Sequence, residues 1–437
     1  MIDETNRNAA LASALTEELV RCGVRRAFLS PGSRSSPVAL ALDREPKLEL
    51  TVVLDERCAA FMALGVALAT RAPAIVACTS GSAAANLHPA VVEADQAGVP
   101  MVVLTSDRPP ELREVGAGQT IDQLGLYGTA ARWFCEVGIH DADDTGLLHM
   151  RSVACRAWGE ATAGRGPVHL NLPWRDPLGP ERRAGDVTAS DPIALQGRPG
   201  GRPLTVPIDA REPSEEILAA LAGAVERAQC GLIVAGRHLD PGLAPAVAAL
   251  AEASGLPVLA EPTTGIRFGP HPRRLVVSAY SAIASSGRER LAPDLVLRFG
   301  DMPTSKPLRA WIAASGADQI VVDAPGRWNE PTRRAGAMVR AGGASIARAL
   351  AQRVQRGDES WSEAWVGAEA SAQEAIDEVL GGAPGISEPA IHRALGACLA
   401  DGESVLLGSS MPIRDAESSN PVFLIDEIDK MGADFRG

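Results

Sequence analysis

The 437-residue sequence predicts an α/β protein of two doubly wound parallel-sheet domains followed by the start of a third. Three observations carry this. Short apolar runs alternate with helical patterns from Asn8 to Leu172. The alternation stops at a Pro-, Gly- and Arg-rich stretch and resumes beyond it. A long helical pattern then leads past Gly381, Gly382 and Pro384 into a new helix and strand that begin at Ser387. Short strands separated by helices imply parallel sheets covered on both faces.

In the first domain, Asn8 to Cys22 reads as a helix and Arg26 to Leu29 as a strand. Leu48 to Leu54 is a second strand, followed by a helix through Thr70. Ala74 to Cys78 is a third, with a helix over Ser82 to Ala94. Met101 to Thr105, a helix over Gly146 to Ala163 and the strand Val168 to Leu172 complete the set. From Leu178 to Pro213 periodicity is lost, which reads as a surface linker. The second domain offers strands Gly231 to Ala235, Pro257 to Ala260, Leu295 to Arg298 and Gln319 to Val322. Its helices lie at Ser214 to Arg227, Leu243 to Ala253 and Ser345 to Arg353. Trp361 to Leu380 is a connecting helix. Beyond Ser387 come one helix, the strand Ser404 to Leu407 and the turn Gly408 to Asp415. The expected organisation is therefore residues 1–180, a linker over 181–213, a central domain over 214–355, a connector over 356–386, a third-domain start over 387–417 and a tail over 418–437.

Composition narrows the function. Apolar residues make up 46% and charged residues 22%, which excludes a disordered chain. A formal charge of −12 with no basic stripe argues against nucleic acid. The polar N-terminus has no secretory pattern, and the longest apolar run, Ala59 to Ala69, is too short to span a bilayer. Seven scattered cysteines without a C-x-x-C pair read as reduced thiols, so a cytoplasmic protein is expected. The seven histidines stand apart from other ligand types, so no metal ligands are assigned.

The chemistry-bearing segments follow strands. Ser30-Pro31-Gly32-Ser33-Arg34-Ser35-Ser36-Pro37 opens a helix after the first strand. It is an anion site in principle, and Arg34 adds bidentate carboxylate recognition. A capped strand–helix turn explains the same residues. Asp55-Glu56-Arg57 starts a helix where acids are favoured by the macrodipole, yet a carboxylate at a parallel strand end is also where open sheets place ligands. Thr79-Ser80-Gly81-Ser82 repeats the theme, and Gly81 lets the backbone approach a ligand. Asp107-Arg108-Pro109-Pro110-Glu111-Leu112 follows the next strand. Each segment is weak alone; their joint placement after neighbouring strands is stronger.

SPGSRSSP, LDERCAAFMALG, TSGSAAANLHPAVVEA, VVLTSDRPPELREVGAGQTIDQ and GPVHLNLPWRDPL occur in this order, with LVLRFGDMPTSKPLR and VLLGSSMPIRD later. Together they resemble the MenD family, thiamine-diphosphate enzymes of the menaquinone pathway, over roughly Asn6 to Asp415. The resemblance implies a pyrimidine-binding first domain and a central second domain. It implies thiamine diphosphate and magnesium as cofactors, and 2-oxoglutarate and isochorismate as substrates. Glu56 is implied as the catalytic acid that hydrogen-bonds the cofactor's pyrimidine, and Ser33, Thr79 and Gly81 as further cofactor-binding residues. Ser33, Arg34, Arg108, Gln119, Lys306, Ser410 and Arg414 are implied as binders of substrate carboxylates and hydroxyls. Lys306 without its PTSK context is an ordinary surface lysine. Gly118 stands before Gln119 where many relatives have Asn, which puts one polar contact in doubt. A homodimer or homotetramer is expected, because family sites form between the first domain of one subunit and the last domain of another. A related decarboxylase or ligase with the same cofactor is the first rival, and the DRPPELR and GQTIDQ segments argue against it. A catalytically silent truncated subunit is the second.

The family's magnesium motif is Gly-Asp-Gly followed by Asn. Here Gly185-Asp186, Gly300-Asp301 and Gly357-Asp358 do not continue as Gly-Asp-Gly, so the chain is expected to lack the diphosphate site and to be inactive alone. It ends instead in SSNPVFLIDEIDKMGADFRG, where Val422 to Ile425 followed by Asp426 and Glu427 form a Walker B pattern. That stretch resembles the ATPase module of Lon protease, but no G-x-x-x-x-G-K-[ST] accompanies it. The junction near Glu417 to Asn420 reads as a fusion, a rearrangement or an assembly artefact. Deleting Ser418 to Gly437 is expected to leave the thermal unfolding of the first two domains unchanged. A large fall in Tm on deletion would make the tail an integrated strand.

Overall fold

A computed structural model describes residues 2–206, 212–286, 291–326, 328–355, 357–382, 385–399, 405, 407–408 and 410–419. The chain divides into two compact units, Met1–Asp209 and Ala210–Gly437. Among the described residues no helix is long and apolar enough to cross a membrane.

The first unit runs α1 (Arg7–Cys22), β1 (Arg26–Leu29), α2 (Ser36–Arg44), β2 (Glu49–Val52), α3 (Glu56–Thr70) and β3 (Ala74–Cys78). It continues with α4 (Ser82–Asn86), α5 (His88–Ala97), β4 (Met101–Asp107), β5 (Trp133–Glu136), α6 (Asp144–Gly164), β6 (Pro167–Pro173) and α7 (Pro192–Gln196). Its sheet is parallel in every pairing, with strand order β2-β1-β3-β4-β6-β5. Every residue of β3, β4 and β6 is buried, as a sheet covered on both faces requires.

Local chemistry sets the helix ends. Asn6 caps α1 by accepting from the Ala9 N–H, and Asp55 caps α3 by accepting from the N–H groups of Arg57 and Cys58. The pattern Leu11, Leu15, Leu19 puts one face of α1 in the core. Opposite it, Arg151 of α6 is fully buried and pairs with Glu17 and Glu18 of α1 at 2.7 and 2.8 Å. Removing one partner of such a pair strands a buried charge, at about 3–5 kcal/mol.

Where sequence and structure differ, short-range chemistry explains it. The helix expected over Ser82 to Ala94 is two helices. Pro89, in the first turn of α5, lacks the N–H that a continuous helix would use. The edge strand β5 is short and only half-buried. Residues 178–206 lie against the first core through Leu178, Val187, Ala189 and Leu195, with Ala194 of α7 fully buried.

The second unit contains α8 (Glu215–Arg227), β7 (Gly231–Ala235), α9 (Leu243–Ser254), β8 (Val258–Ala260), β9 (Val276–Val277), α10 (Tyr280–Ser285) and β10 (Leu295–Phe299). It continues with α11 (Lys306–Ala314), β11 (Asp318–Val322), β12 (Ala335–Val339), α12 (Gly343–Ala351), α13 (Ser360–Gly382), α14 (Glu388–Cys398) and α15 (Met411–Ser419). Its sheet, ordered β12-β11-β10-β7-β8-β9, is again parallel in every pairing. The strands β9 and β12 escape sequence reading: one has two residues and the other is rich in Ala and Gly. The expected turn over Gly408 to Asp415 is helical from Met411 onward. The expected strand Ser404 to Leu407 lies partly outside the described residues, and residues 420–437 of the tail lie wholly outside them. Ser418 falls inside α15, whose Glu417 carboxylate accepts from the Tyr280 hydroxyl and whose Ser419 carbonyl accepts from Arg393 at 3.1 Å.

One feature of the first sheet is unusual for buried parallel strands. Thr105 and Asp107 of β4, with His169 and Asn171 of β6, fall on alternate positions and are all essentially inaccessible. The Thr105 hydroxyl donates to Asn171 Oδ1 at 2.8 Å and therefore accepts from His169 Nε2 at 2.7 Å. His169 Nδ1 is buried without a partner. Burial pushes the His169 imidazole down to about 3. Between that value and the ordinary His value of about 6.5, the unfolded chain binds more protons than the folded one. The neutral ring's contribution is therefore complete above about pH 6.5 and is lost as the pH falls toward 3, at up to about 1.4 kcal/mol per pH unit. His169→Gln, which does not titrate, is expected to show a shallower fall in urea midpoint from pH 7 to pH 4. Identical slopes in both proteins would remove His169 from the acid sensitivity.

Candidate functional site

In the first sheet the chain order reverses between β1 and β3, and open parallel sheets bind ligands at the carboxyl ends of strands at such a point. The turns after β1 and β3 meet there. A Cβ on Gly32 would lie 2.4 Å from the Thr79 Cβ, so only glycine lets the Ser30–Arg34 turn pass. The hydroxyls of Ser30 and Thr79 are buried beneath it without hydrogen-bond partners. Gly81, at φ +84°, occupies the left-handed region, and its N–H donates to Gln123 Oε1 at 2.8 Å.

Glu56 opens α3 after β2 and is half-buried. Asn86, at the end of α4, donates to its Oε2 at 3.1 Å. The other carboxyl oxygen has no hydrogen bond among the described residues. Beside it, Val52 and Leu54 are 60% and 86% exposed, an apolar surface next to an acid with an open oxygen. That combination suits a flat heterocycle that accepts a hydrogen bond at one edge.

The cationic part lies along the same strand ends. Arg34 Nη1 donates to the Trp174 carbonyl at 2.8 Å, and its Nε is buried without a partner. Asp176 lies 3.8 Å from Arg34 Nη1. Arg108 donates to the Ser80 hydroxyl. Burial lowers the Arg108 guanidinium, and repulsion from Arg34 lowers it further, against the pull of Asp107 and Asp176. The two guanidiniums thus lie close enough to repel one another, a repulsion that a carboxylate between them would relieve.

The backbone of Arg108 is gripped from both sides. Its N–H donates to Asp107 Oδ1 at 2.7 Å, and its carbonyl accepts from Arg113 Nε at 3.1 Å. Arg113 also bonds Asp107 and Glu136 at 2.8 and 2.7 Å. Asn171 Nδ2 donates to both carboxylates, at 2.9 and 2.6 Å. Burial pushes the Asp107 carboxyl up, against the hydrogen bond from Asn171 and the charge of Arg113. Gln123, 1% exposed, donates to the Ser106 carbonyl and to Asn171 Oδ1.

Of the residues singled out from sequence, Ser33, Arg34, Glu56, Thr79, Gly81, Arg108 and Gln119 therefore share the carboxyl edge of the first sheet. Ser33 is exposed. Gln119 adopts φ +57° and is turned onto the Gly81 loop, with Nε2 donating to the Ser80 carbonyl at 3.0 Å. A Cβ on Gly118 would meet nothing within 4 Å, so the backbone leaves room for the Asn expected there. Lys306, Ser410 and Arg414 belong to the second unit, and all three are exposed. Lys306 occupies the first position of α11, where the helix dipole disfavours a cation. Ser410 adopts φ +75° immediately before α15. Sequence reading missed Asn86, Gln123 and Asn171 as members of the site. The signal was present in GPVHLNLP: polar residues at alternate positions of a strand otherwise fit for complete burial.

Residues 9–126 match the family described as "Thiamine pyrophosphate enzyme, N-terminal TPP binding domain". Over the greater part of its length the chain is also similar to proteins named 2-succinyl-5-enolpyruvyl-6-hydroxy-3-cyclohexene-1-carboxylate synthase. It is 45% identical to that of Halobacterium salinarum over 419 residues, 94% of this chain and 71% of the relative. It is 42% identical to that of Chloroflexus aurantiacus over 436 residues, 97% and 72% of the two chains. It is 41% identical to that of Geobacillus kaustophilus over 419 residues, 93% and 70%. With identity at this level across most of both chains, and a thiamine-pyrophosphate domain where the strand-end acid lies, this chain belongs to the 2-succinyl-5-enolpyruvyl-6-hydroxy-3-cyclohexene-1-carboxylate synthase family.

Proposed function

We propose that this chain contributes to a magnesium- and thiamine-diphosphate-dependent transferase reaction of menaquinone biosynthesis. In it, 2-oxoglutarate loses carbon dioxide and the remaining four-carbon fragment adds to isochorismate. The observation that carries this reading is Glu56, held by Asn86 at a strand end beside an apolar surface and on the same sheet edge as the Arg34–Arg108 pair. Thiamine diphosphate, when bound, supplies the carbon nucleophile and stabilises the carbanion. The described residues suit its pyrimidine end: Glu56 holds a proton against a ring nitrogen, while Val52 and Leu54 offer apolar contact. On this reading the magnesium and the diphosphate are held by groups other than those described.

Arg34 and Arg108 take a substrate carboxylate. The Asp107–Arg113–Asn171 network keeps Arg108 from turning away when the site is empty. Gln119 and Ser33 offer amide and hydroxyl groups to substrate oxygens. On the same reading Lys306, Ser410 and Arg414 are substrate-binding residues. The reading extends to a cytoplasmic homodimer or homotetramer.

The test is a substitution that preserves shape. In a chimera carrying the remaining length of a family relative, Glu56→Gln is expected to lower kcat by about 10²–10⁴-fold, because the amide keeps the size but cannot hold the acidic proton. Near-wild-type carbon dioxide release from 2-oxoglutarate by that variant would remove Glu56 from the mechanism.

A further inference from the structure

Cys22 closes the last turn of α1, and Cys155 sits within α6. They are 133 residues apart in sequence, yet their sulfurs are 3.8 Å apart across the packed helix pair. The groups around them are those that thiol oxidation needs. Cys155 Sγ lies 3.6 Å from Glu18 Oε1. The Thr205 N–H points at the same sulfur from 3.4 Å and favours negative charge there. Glu18 is fully buried, and Arg151 Nη1 holds its other oxygen at 2.8 Å. The Cys22 thiol donates to Cys155 Sγ, which raises the first thiol and lowers the second against burial and the charge of Glu18. Cys22 is partly exposed and Cys155 is buried, so a small oxidant reaches the pair from the Cys22 side.

We propose that Cys22 and Cys155 form a redox modification site that takes hydrogen peroxide and closes to a disulfide between α1 and α6. The Cys22 thiol passes its proton to the Cys155 thiolate that it already donates to as its sulfur attacks one peroxide oxygen; the O–O bond breaks, and the other oxygen leaves with that proton as water. The Cys155 sulfur, again the thiolate that the Thr205 N–H favours, then attacks the Cys22 sulfur. The S–O bond breaks, and the departing hydroxide takes from solvent the proton that Cys155 had released, as a second water. Two thiols are oxidised by two electrons, and one peroxide is reduced to two waters. A disulfide needs its sulfurs about 2.05 Å apart, so from 3.8 Å they must close by about 1.8 Å.

The experiment treats the full chain with hydrogen peroxide, blocks the remaining thiols and maps the peptides by mass spectrometry. The expected product is a Cys22–Cys155 cross-linked peptide about 2 Da lighter than its reduced parts, reversed by a dithiol reductant. The thiol count in denaturant falls by two from the seven of the reduced chain. Because the bond closes a long loop, the oxidised form is expected to unfold at a higher temperature. Cys155→Ser should leave Cys22 as a sulfenic acid that a carbon nucleophile traps, and Cys22→Ser should abolish the cross-link in a folded protein. Oxidation of the exposed Cys58 or Cys398 while Cys22 and Cys155 stay free would overturn the proposal. So would conversion of Cys22 to the sulfinic acid without a cross-link.

Discussion

Hydrogen bonds converge on the Asn171 side chain from four directions, and the arrangement of the first unit's site depends on them. Its oxygen accepts from Thr105 and Gln123, and its nitrogen donates to Asp107 and Glu136. Asn171 lies inside a sheet covered on both faces, where an unpaired amide would cost about 1–3 kcal/mol. Such a group is tolerated only when every lone pair and proton is used, and here every one is. Through Asp107 the network fixes the peptide of Arg108, and through Gln123 it fixes the N–H of Gly81. Two turns after two different strands are thus set by one buried amide.

The strand order then decides what those turns surround. The strand order reverses between β1 and β3, the place where open parallel sheets bind ligands at their carboxyl ends. Gly32 and Thr79 touch there, Arg34 and Arg108 lie close to one another, and Glu56 stands beyond β1 at the end of β2. The second unit follows the same rule, with its reversal between β10 and β7. Lys306 follows β10 in the chain, so it too issues from a strand beside a reversal point.

Much of this was legible in the sequence, for a definite reason. A strand of a doubly covered sheet must be apolar along its length, and Ala74–Cys78 and Gly231–Ala235 have the bounds that rule gives. The turns were legible because Gly, Pro and small polar residues punctuate them. Partners distant in sequence were not. Asn86 meets Glu56 only because α4 folds back beside α3, and Gln123 reaches Gly81 across 42 residues. Cys22 and Cys155 looked scattered because the packing of α1 on α6, locked by Arg151, has no signature in either segment alone. The break between α4 and α5 was written in Pro89, but the apolar periodicity on either side concealed it.

What distinguishes the carboxyl edge of the first sheet from the rest of the unit is a concentration of local arrangements that folding alone does not favour. Arg34 and Arg108 repel one another, and a buried Nε–H of Arg34 has no acceptor. The hydroxyls of Ser30 and Thr79 are buried unpaired, and Gln119 takes a left-handed backbone that side chains disfavour. Val52 and Leu54 are left in solvent. Each is a small destabilisation, and the Asn171 network and the Arg151 pair are the buried polar structure that holds them in place. When locally unfavourable choices gather at one place while the surrounding core is consistent, the place is where a ligand completes the structure. The ligand indicated by these particular deficits has an anionic group for the guanidiniums, hydrogen-bonding atoms for Glu56 and the hydroxyls, and an apolar face for Leu54. On the proposed function, those are the requirements of a charged substrate and a planar heterocyclic cofactor.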